Sequence, residues 1–269
     1  MLWVLIILGF ISGVIINILS DDLPQRHGPR LPHYPDGTPR PFIAWSGITA
    51  YLTGQHTSPN GSKLSWRHPA TEIVTIALFI LTASRIFDIP TVTTYQSILL
   101  LIHMAIFVLI TVIDLEHRLI LFIVIIPAWV IALIDAATTQ GYGPDLGQAL
   151  IGGAVGFAIF FLLYMGGFLF TNILSRVQGR QITEVAFGYG DVMLITLSGF
   201  LLGWQTLVFT MFITVFLGAA GAILYLVARR ITGRHTSLFT PLPYGQYIII
   251  ATIIMMLYAS NVANMIRGA

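Results

Sequence analysis

Eleven acidic residues occur in a chain of 269, so each can be weighed for the chemistry it could do. Asp114 closes an apolar run in Thr111-Val112-Ile113-Asp114-Leu115-Glu116-His117-Arg118, and Asp191 opens another in Phe187-Gly188-Tyr189-Gly190-Asp191-Val192. An acid at the edge of the hydrocarbon is costly and usually marks function. Two carboxylates that meet share one proton, because like charges a few ångströms apart cannot both ionise cheaply. The charged member then acts as general base on a water while the protonated one polarises a carbonyl, which is aspartic peptidase chemistry. Such a pair titrates as a unit. Gly188 and Gly190 allow a tight turn and leave room for another chain beside Asp191. The lesser alternative is that Asp191 is only a helix N-cap, for which a neighbouring turn residue is also expected.

The remaining acids divide by position. Asp21, Asp22 and Asp36 lie in a polar stretch, and Asp88 and Asp145 in short loops. Glu72 and Asp135 sit near span ends, where they snorkel or cap. Asp21 and Asp22 are candidates to attract a basic peptide by charge, as are Glu116 and Glu184 beside the two motifs. Each is equally ordinary as a solvated loop acid. His103, in the middle of an apolar run, reads as a helix-contact histidine.

These groups must be positioned by membrane helices. The chain is 56% hydrophobic and only 9% charged, with mean hydropathy +0.86, against roughly 25% charged residues in an average soluble domain. Soluble enzymes, DNA-binding proteins and disordered chains are excluded. The absence of cysteine excludes disulfides, thiol nucleophiles, Cys-type zinc sites and iron–sulfur clusters. Apolar runs at about 2–19, 70–86, 95–113, 119–137, 148–174, 192–203, 205–228 and 245–266 predict about eight spans, seven if the split at Gly203-Trp204-Gln205 is absent. The first run has no basic residue before it and no small-residue cleavage site after it, so it reads as a retained span.

Eight of the thirteen prolines fall in the stretch 20–69, which argues against long helices there. The predicted organisation is therefore a first transmembrane helix over 1–19, a loop or small subdomain over 20–69, and a membrane domain over 70–269, with no internal repeat. Eleven Lys and Arg residues fall on one side of this arrangement, and only Arg85 and Arg267 on the other. The positive-inside rule makes the first side cytoplasmic and turns both termini outward. Span parity puts Asp114 and Asp191 at that cytoplasmic face. Gly9/Gly13, Gly152/Gly156, Gly199/Gly203 and Gly218/Ala222 have the small-xxx-small spacing of close helix packing. The fold class is an all-α polytopic bundle.

With those residues in view, the chain resembles the type IV prepilin peptidases, membrane aspartic peptidases with a GxGD motif. Phe187 to Asp191 with Leu194 and Gly199 resembles their second catalytic motif, and Ile113 to Ile120 their first. Leu64 to Pro69 with Glu72 is similar to the segment entering their second span. Gly13, Asn17 and Leu23-Pro24 resemble the first span and its exit, and Pro243-Tyr244-Gly245 the start of the last span. The resemblance implies that Asp114 and Asp191 are the catalytic pair, without a cofactor. It implies as substrate a prepilin or pseudopilin whose basic leader is cut from its apolar helix at the cytoplasmic face of the inner membrane. Many members also methylate the new N-terminus with S-adenosylmethionine, and bind zinc through two Cys pairs in the first loop.

The corresponding stretch here, about 42–65, has no cysteine. His27, His33, His56 and His68 read as loop histidines rather than zinc ligands, which leaves methylation open. Other departures are Met193 where a lysine is frequent, Leu121 where proline is usual, and Asp21-Asp22 where an arginine normally stands. The expected partners are the pilin-like substrate and the bilayer, with no nucleic acid. Two other readings fit the same acids. A related GxGD peptidase would cut other membrane helices, although the presenilin-like branch has Tyr-Asp where this chain has Ile113-Asp114. A cation- or proton-coupled transporter would more often show repeat symmetry and acids nearer the midplane.

Overall fold

The computed structural model describes residues 2–87, 89–138, 142–178, 188–231 and 244–267. Among these residues the chain is helical, with two isolated β-bridges, His33 to Pro39 and Thr57 to Lys63. It packs as two units, Met1–Leu119 and Ile120–Ala269.

The first unit holds α1 (Leu2–Asp22), the short α2 (Gly47–Leu52), α3 (Arg67–Ile86) and α4 (Thr94–His117). Gly9 and Gly13 bring α1 against α3 so closely that a Cβ at either would press on the Cα of Ile76 or Glu72. Thr93 starts α4, its side chain accepting the Gln96 N–H at 3.2 Å. Arg118 ends it in a left-handed conformation (φ 54°), returning its N–H to the Asp114 carbonyl at 2.8 Å. That αL cap satisfies a carbonyl the helix end would leave open. His103 is buried in α4, with Nδ1 2.8 Å from the Leu99 carbonyl.

Between α1 and α3, the polar stretch forms two turns of the same build. Tyr34-Pro35-Asp36-Gly37 and Ser58-Pro59-Asn60-Gly61 each close with the glycine N–H on the carbonyl three residues back, at 2.8 and 2.9 Å. The glycines have φ of 82° and 85°. The N–H of Tyr34 reaches the Thr38 carbonyl, and that of Ser58 the Ser62 carbonyl. This four-residue repeat is too short to stand out in the sequence, and none was expected there. The Ser58 hydroxyl donates to Asp36 at 2.6 Å and joins the two turns. Thr38 donates to the same carboxylate through N–H and hydroxyl. These bonds, led by that from Ser58, pull the Asp36 carboxyl pKa down to about 2.

The second unit holds α5 (Phe122–Thr138), α6 (Leu146–Gln178), α7 (Tyr189–Ile231) and α8 (Gly245–Arg267). Gly152 on α6 and Gly199 on α7 meet backbone to backbone, since a Cβ on either would overlap the other's peptide. The small-residue spacings in both units thus serve helix packing. Within α7, Gly203 is non-helical (φ 70°, ψ 168°), at the position where the sequence predicts a split. That backbone region belongs essentially to glycine.

Among the described residues, five helices are long and apolar enough to cross a membrane by length and composition, and Phe122–Thr138 and Gly245–Tyr258 are shorter apolar helices. The protein is an all-α polytopic membrane protein.

Candidate active site

Asp114 lies in the last turn of α4 and is buried, at 8% exposure. Two residues on, Glu116 Oε1 stands 2.8 Å from Arg67 Nε. Arg67 also pairs with Asp21 and donates to the Ser20 hydroxyl, and His68 Nε2 lies 3.1 Å from the other Asp21 oxygen. One guanidinium therefore ties the end of α1 to the end of α4, next to Asp114. A cavity of about 620 Å³ opens over this cluster; Asp21, Asp36, Glu116, Arg30, Lys63 and Arg67 are among its lining residues.

Asp22 points elsewhere. Its carboxylate is fully buried and accepts three bonds from Arg30, at 3.0 Å from Nε, 2.7 Å from Nη2 and 2.7 Å from the backbone N–H. Asp21 and Glu116 are thus brought together, while Asp22 is engaged in folding the loop.

Glu72 plays a part that its position near a span end does not reveal. It is fully buried and accepts four hydrogen bonds: the Ser46 hydroxyl (2.6 Å), the N–H groups of Gly47 (2.7 Å) and Ile48 (3.0 Å), and Asn17 Nδ2 (3.1 Å). The carboxylate thereby caps α2, a helix other than its own, and meets its open N–H groups with negative charge. Arg40 is buried nearby at 4% exposure. Burial pushes its pKa down, and the Asp21 and Glu72 carboxylates oppose that shift. The resemblance marks Glu72 beside Leu64–Pro69 but not its donors, and no pattern in the sequence separates Arg40 from loop charges.

In the second unit, Asp191 occupies the first turn of α7 and accepts the Gly188 N–H on Oδ2 at 3.2 Å. An acid reaching back to an open N–H at the helix start is half of a capping box. The space at Gly190 is filled by Ile120, whose Cβ would lie 3.0 Å from a Cβ placed there. Tyr189 packs between Phe122 and Tyr164 at ring distances of 6.3 and 5.8 Å. Trp129 donates to the Met193 carbonyl at 3.2 Å and meets Phe200 edge to face. The start of α7 is therefore fixed by α5 and α6. Tyr244, just before α8, has its phenol pKa raised, first by burial and then by the Asp191 charge. That places a hydroxyl in the electrostatic neighbourhood of Asp191, a role the sequence did not disclose. Glu184 lies outside the described residues.

Of the four histidines read as loop residues, His68 instead lies buried in the first turn of α3, and the four have separate surroundings. His33 is 3.8 Å from Asp22, His56 stacks on Tyr51 and His68 pairs with Asp21, while His27 is exposed on the loop after α1. Among the described residues no group of three or more His, Asp or Glu side chains is arranged to hold a metal.

Residues 98–223 match the model of the type IV leader peptidase family. Among curated proteins, the chain is similar to the prepilin leader peptidase/N-methyltransferase of Aeromonas salmonicida (strain A449), 28% identical over 225 residues, 83% of this chain and 67% of that one. The protein of the same name from Bacillus subtilis (strain 168) is 27% identical over 76% of this chain and 71% of its own. That from Myxococcus xanthus (strain DK1622) is 26% identical over 90% and 68%. No solved structure matches.

Proposed function

We propose, from the match of its residues 98–223 to the model of the type IV leader peptidase family, that this chain is a membrane aspartic endopeptidase whose catalytic pair is Asp114 and Asp191. The observation that carries this reading is that both acids fall inside the matched residues, each at a helix end: one closes α4, the other opens α7. The same match favours a peptidase over a transporter.

In the proposed reaction the pair shares one proton. The ionised carboxylate takes a proton from water, which attacks the scissile carbonyl carbon. The protonated carboxyl hydrogen-bonds the carbonyl oxygen as negative charge develops there. Collapse of the tetrahedral intermediate breaks the C–N bond, and a carboxyl proton goes to the leaving amine. Nothing in these steps calls for a metal or cofactor.

The substrate in this reading is a prepilin, the word the relatives' names carry, or a pseudopilin. Asp21 and Glu116, lining the same cavity, supply negative charge for the basic leader; Asp22 acts through the fold of the loop, and Glu184 precedes Gly188 on the approach to Asp191. Cleavage falls at the cytoplasmic face of the inner membrane, with both termini outside.

N-methylation of the new N-terminus is a second reading, and the cavity favours it. Carboxylates from Asp21, Asp36 and Glu116 beside Arg30 and Lys63 suit a ligand that carries sulfonium, ammonium and carboxylate groups together. S-adenosylmethionine, which supplies a methyl group, has that chemistry.

The test is the intact mass and N-terminal sequence of a co-expressed prepilin, with the wild-type chain, Asp114→Asn and Asp191→Asn. Leader loss with wild type alone supports the pair. Cleavage by either inserted variant overturns it. An added methyl mass on the cleaved product distinguishes the second reading.

A further inference from the structure

Segment 41–52 precedes α3 in the chain, yet its hydrogen bonds anchor it inside the span. Ser46, Gly47 and Ile48 all donate to Glu72, five residues into the membrane-spanning length of α3, Arg67–Ile86. At the α-helical rise this is roughly 7 Å along the axis from Arg67. Gly47 reinforces the anchor: a Cβ there would run into the backbone of His68 and Pro69. With only six residues, α2 cannot carry the segment far from the level of the first turns of α3.

The segment is turned inside out for a water-facing loop. Arg40 just before it and Ser46 within it are buried, whereas Phe42 is 80% exposed, Ile43 50% and Leu52 81%. Trp66, the residue that starts α3, is 69% exposed. About two turns deeper on α3, Ile73 and Val74 are exposed at 53% each, so the apolar surface continues into the hydrocarbon-facing side of a span.

We propose that segment 41–52, together with Trp66, is seated in the interfacial layer of the bilayer, with Phe42, Ile43 and Leu52 in contact with lipid. The occupant is lipid because the bilayer surrounds α3 at the height where Glu72 holds the segment. Apolar side chains leave water for such a layer, and tryptophan favours the headgroup level. The proposal rests on the membrane fold alone and stands whether or not Asp114 and Asp191 are catalytic.

The chain has no cysteine, so Phe42→Cys and Leu52→Cys each give a unique nitroxide site in the full-length protein. The labelled proteins are reconstituted into phosphatidylcholine/phosphatidylglycerol vesicles and probed by collision with oxygen and with an aqueous nickel chelate. Leu8→Cys on the exposed face of α1 serves as lipid reference, and Pro59→Cys at the tip of the second turn as water reference. The expected result at 42 and 52 is loss of nickel collision with retained oxygen collision, as at position 8. Nickel access equal to that at position 59 overturns the proposal. Shielding from both reagents overturns it too, because protein would then cover the surface. Both sites are exposed; because the Phe42 ring meets Trp45 at 5.1 Å, Ile43→Cys replaces Phe42→Cys if that variant fails to fold.

Discussion

At Glu72 a single carboxylate answers four donors in a fully buried setting. Removing it strands the N–H groups of Gly47 and Ile48 and the Ser46 hydroxyl, and buried unmade hydrogen bonds to a charged group are costly. Glu72→Ala is expected to destabilise the first unit by on the order of 3 kcal/mol. Thermal unfolding in detergent checks this, and Glu72→Gln, which retains an acceptor oxygen, should lose less. Asp114→Asn and Asp191→Asn differ in kind. Each should lower cleavage by roughly a thousandfold or more while the protein stays inserted, because a proton-sharing pair fails when either member cannot ionise. Their unfolding profiles should stay near wild type, which separates a chemical role from a structural one. Both aspartates were conspicuous in the sequence from residue type and from their place at the ends of apolar runs. Glu72 was not, because its donors are brought to it from 24 to 55 residues away.

Secondary elements carry two further expectations. The paired turns at 34–37 and 58–61 are joined through Asp36, whose carboxyl pKa lies at about 2 against an ordinary value of 3.8. A carboxyl with a depressed folded-state pKa contributes stability that is fully present above its ordinary pKa and is lost as pH falls through the folded value. Hydrogen-exchange protection across 34–62, relative to the intrinsic rate at each pH, should therefore be steady above about pH 5 and fall as pH drops from about 4 toward 2; Asp36→Asn should abolish that dependence. On α7, Gly203 holds a backbone conformation that an L side chain enters at a cost of about 1–3 kcal/mol. A Cβ there would also press on Pro144 at 3.1 Å. Gly203→Ala is expected to lower the melting temperature, whereas Ala substitution at Gly166, where a Cβ meets nothing within 4 Å, should not. The break at Gly203 was visible as a polar and glycine interruption in an apolar run. The matching of the two turns was not, since it depends on hydrogen bonds between segments 22 residues apart.

For the molecule as a whole, the distribution of charge makes a prediction about sidedness. Eleven of thirteen basic residues fall on one face by the parity of eight spans, so that face is expected to be cytoplasmic. A unique cysteine from Gly28→Cys, an exposed site with open space around it, should resist a membrane-impermeant maleimide in intact cells and react once the membrane is opened. Labelling in intact cells would reverse the orientation.

Composition, hydropathy and the two aspartate motifs determined the membrane class, the approximate helices and the family resemblance, because these follow from local runs of residues and need no knowledge of what touches what. The polar stretch is where the tertiary structure decided. Of four neighbouring acids of similar appearance, Asp21 joins Arg67 and His68, Asp22 closes on Arg30, Asp36 clasps the two turns and Glu72 caps α2. Which donor a carboxylate meets depends on chain segments distant in sequence, and sequence spacing encodes no such meeting. The exposed Phe42 and Leu52 teach the same lesson, for their height beside α3 comes from the bonds to Glu72 and not from their place in a proline-rich loop.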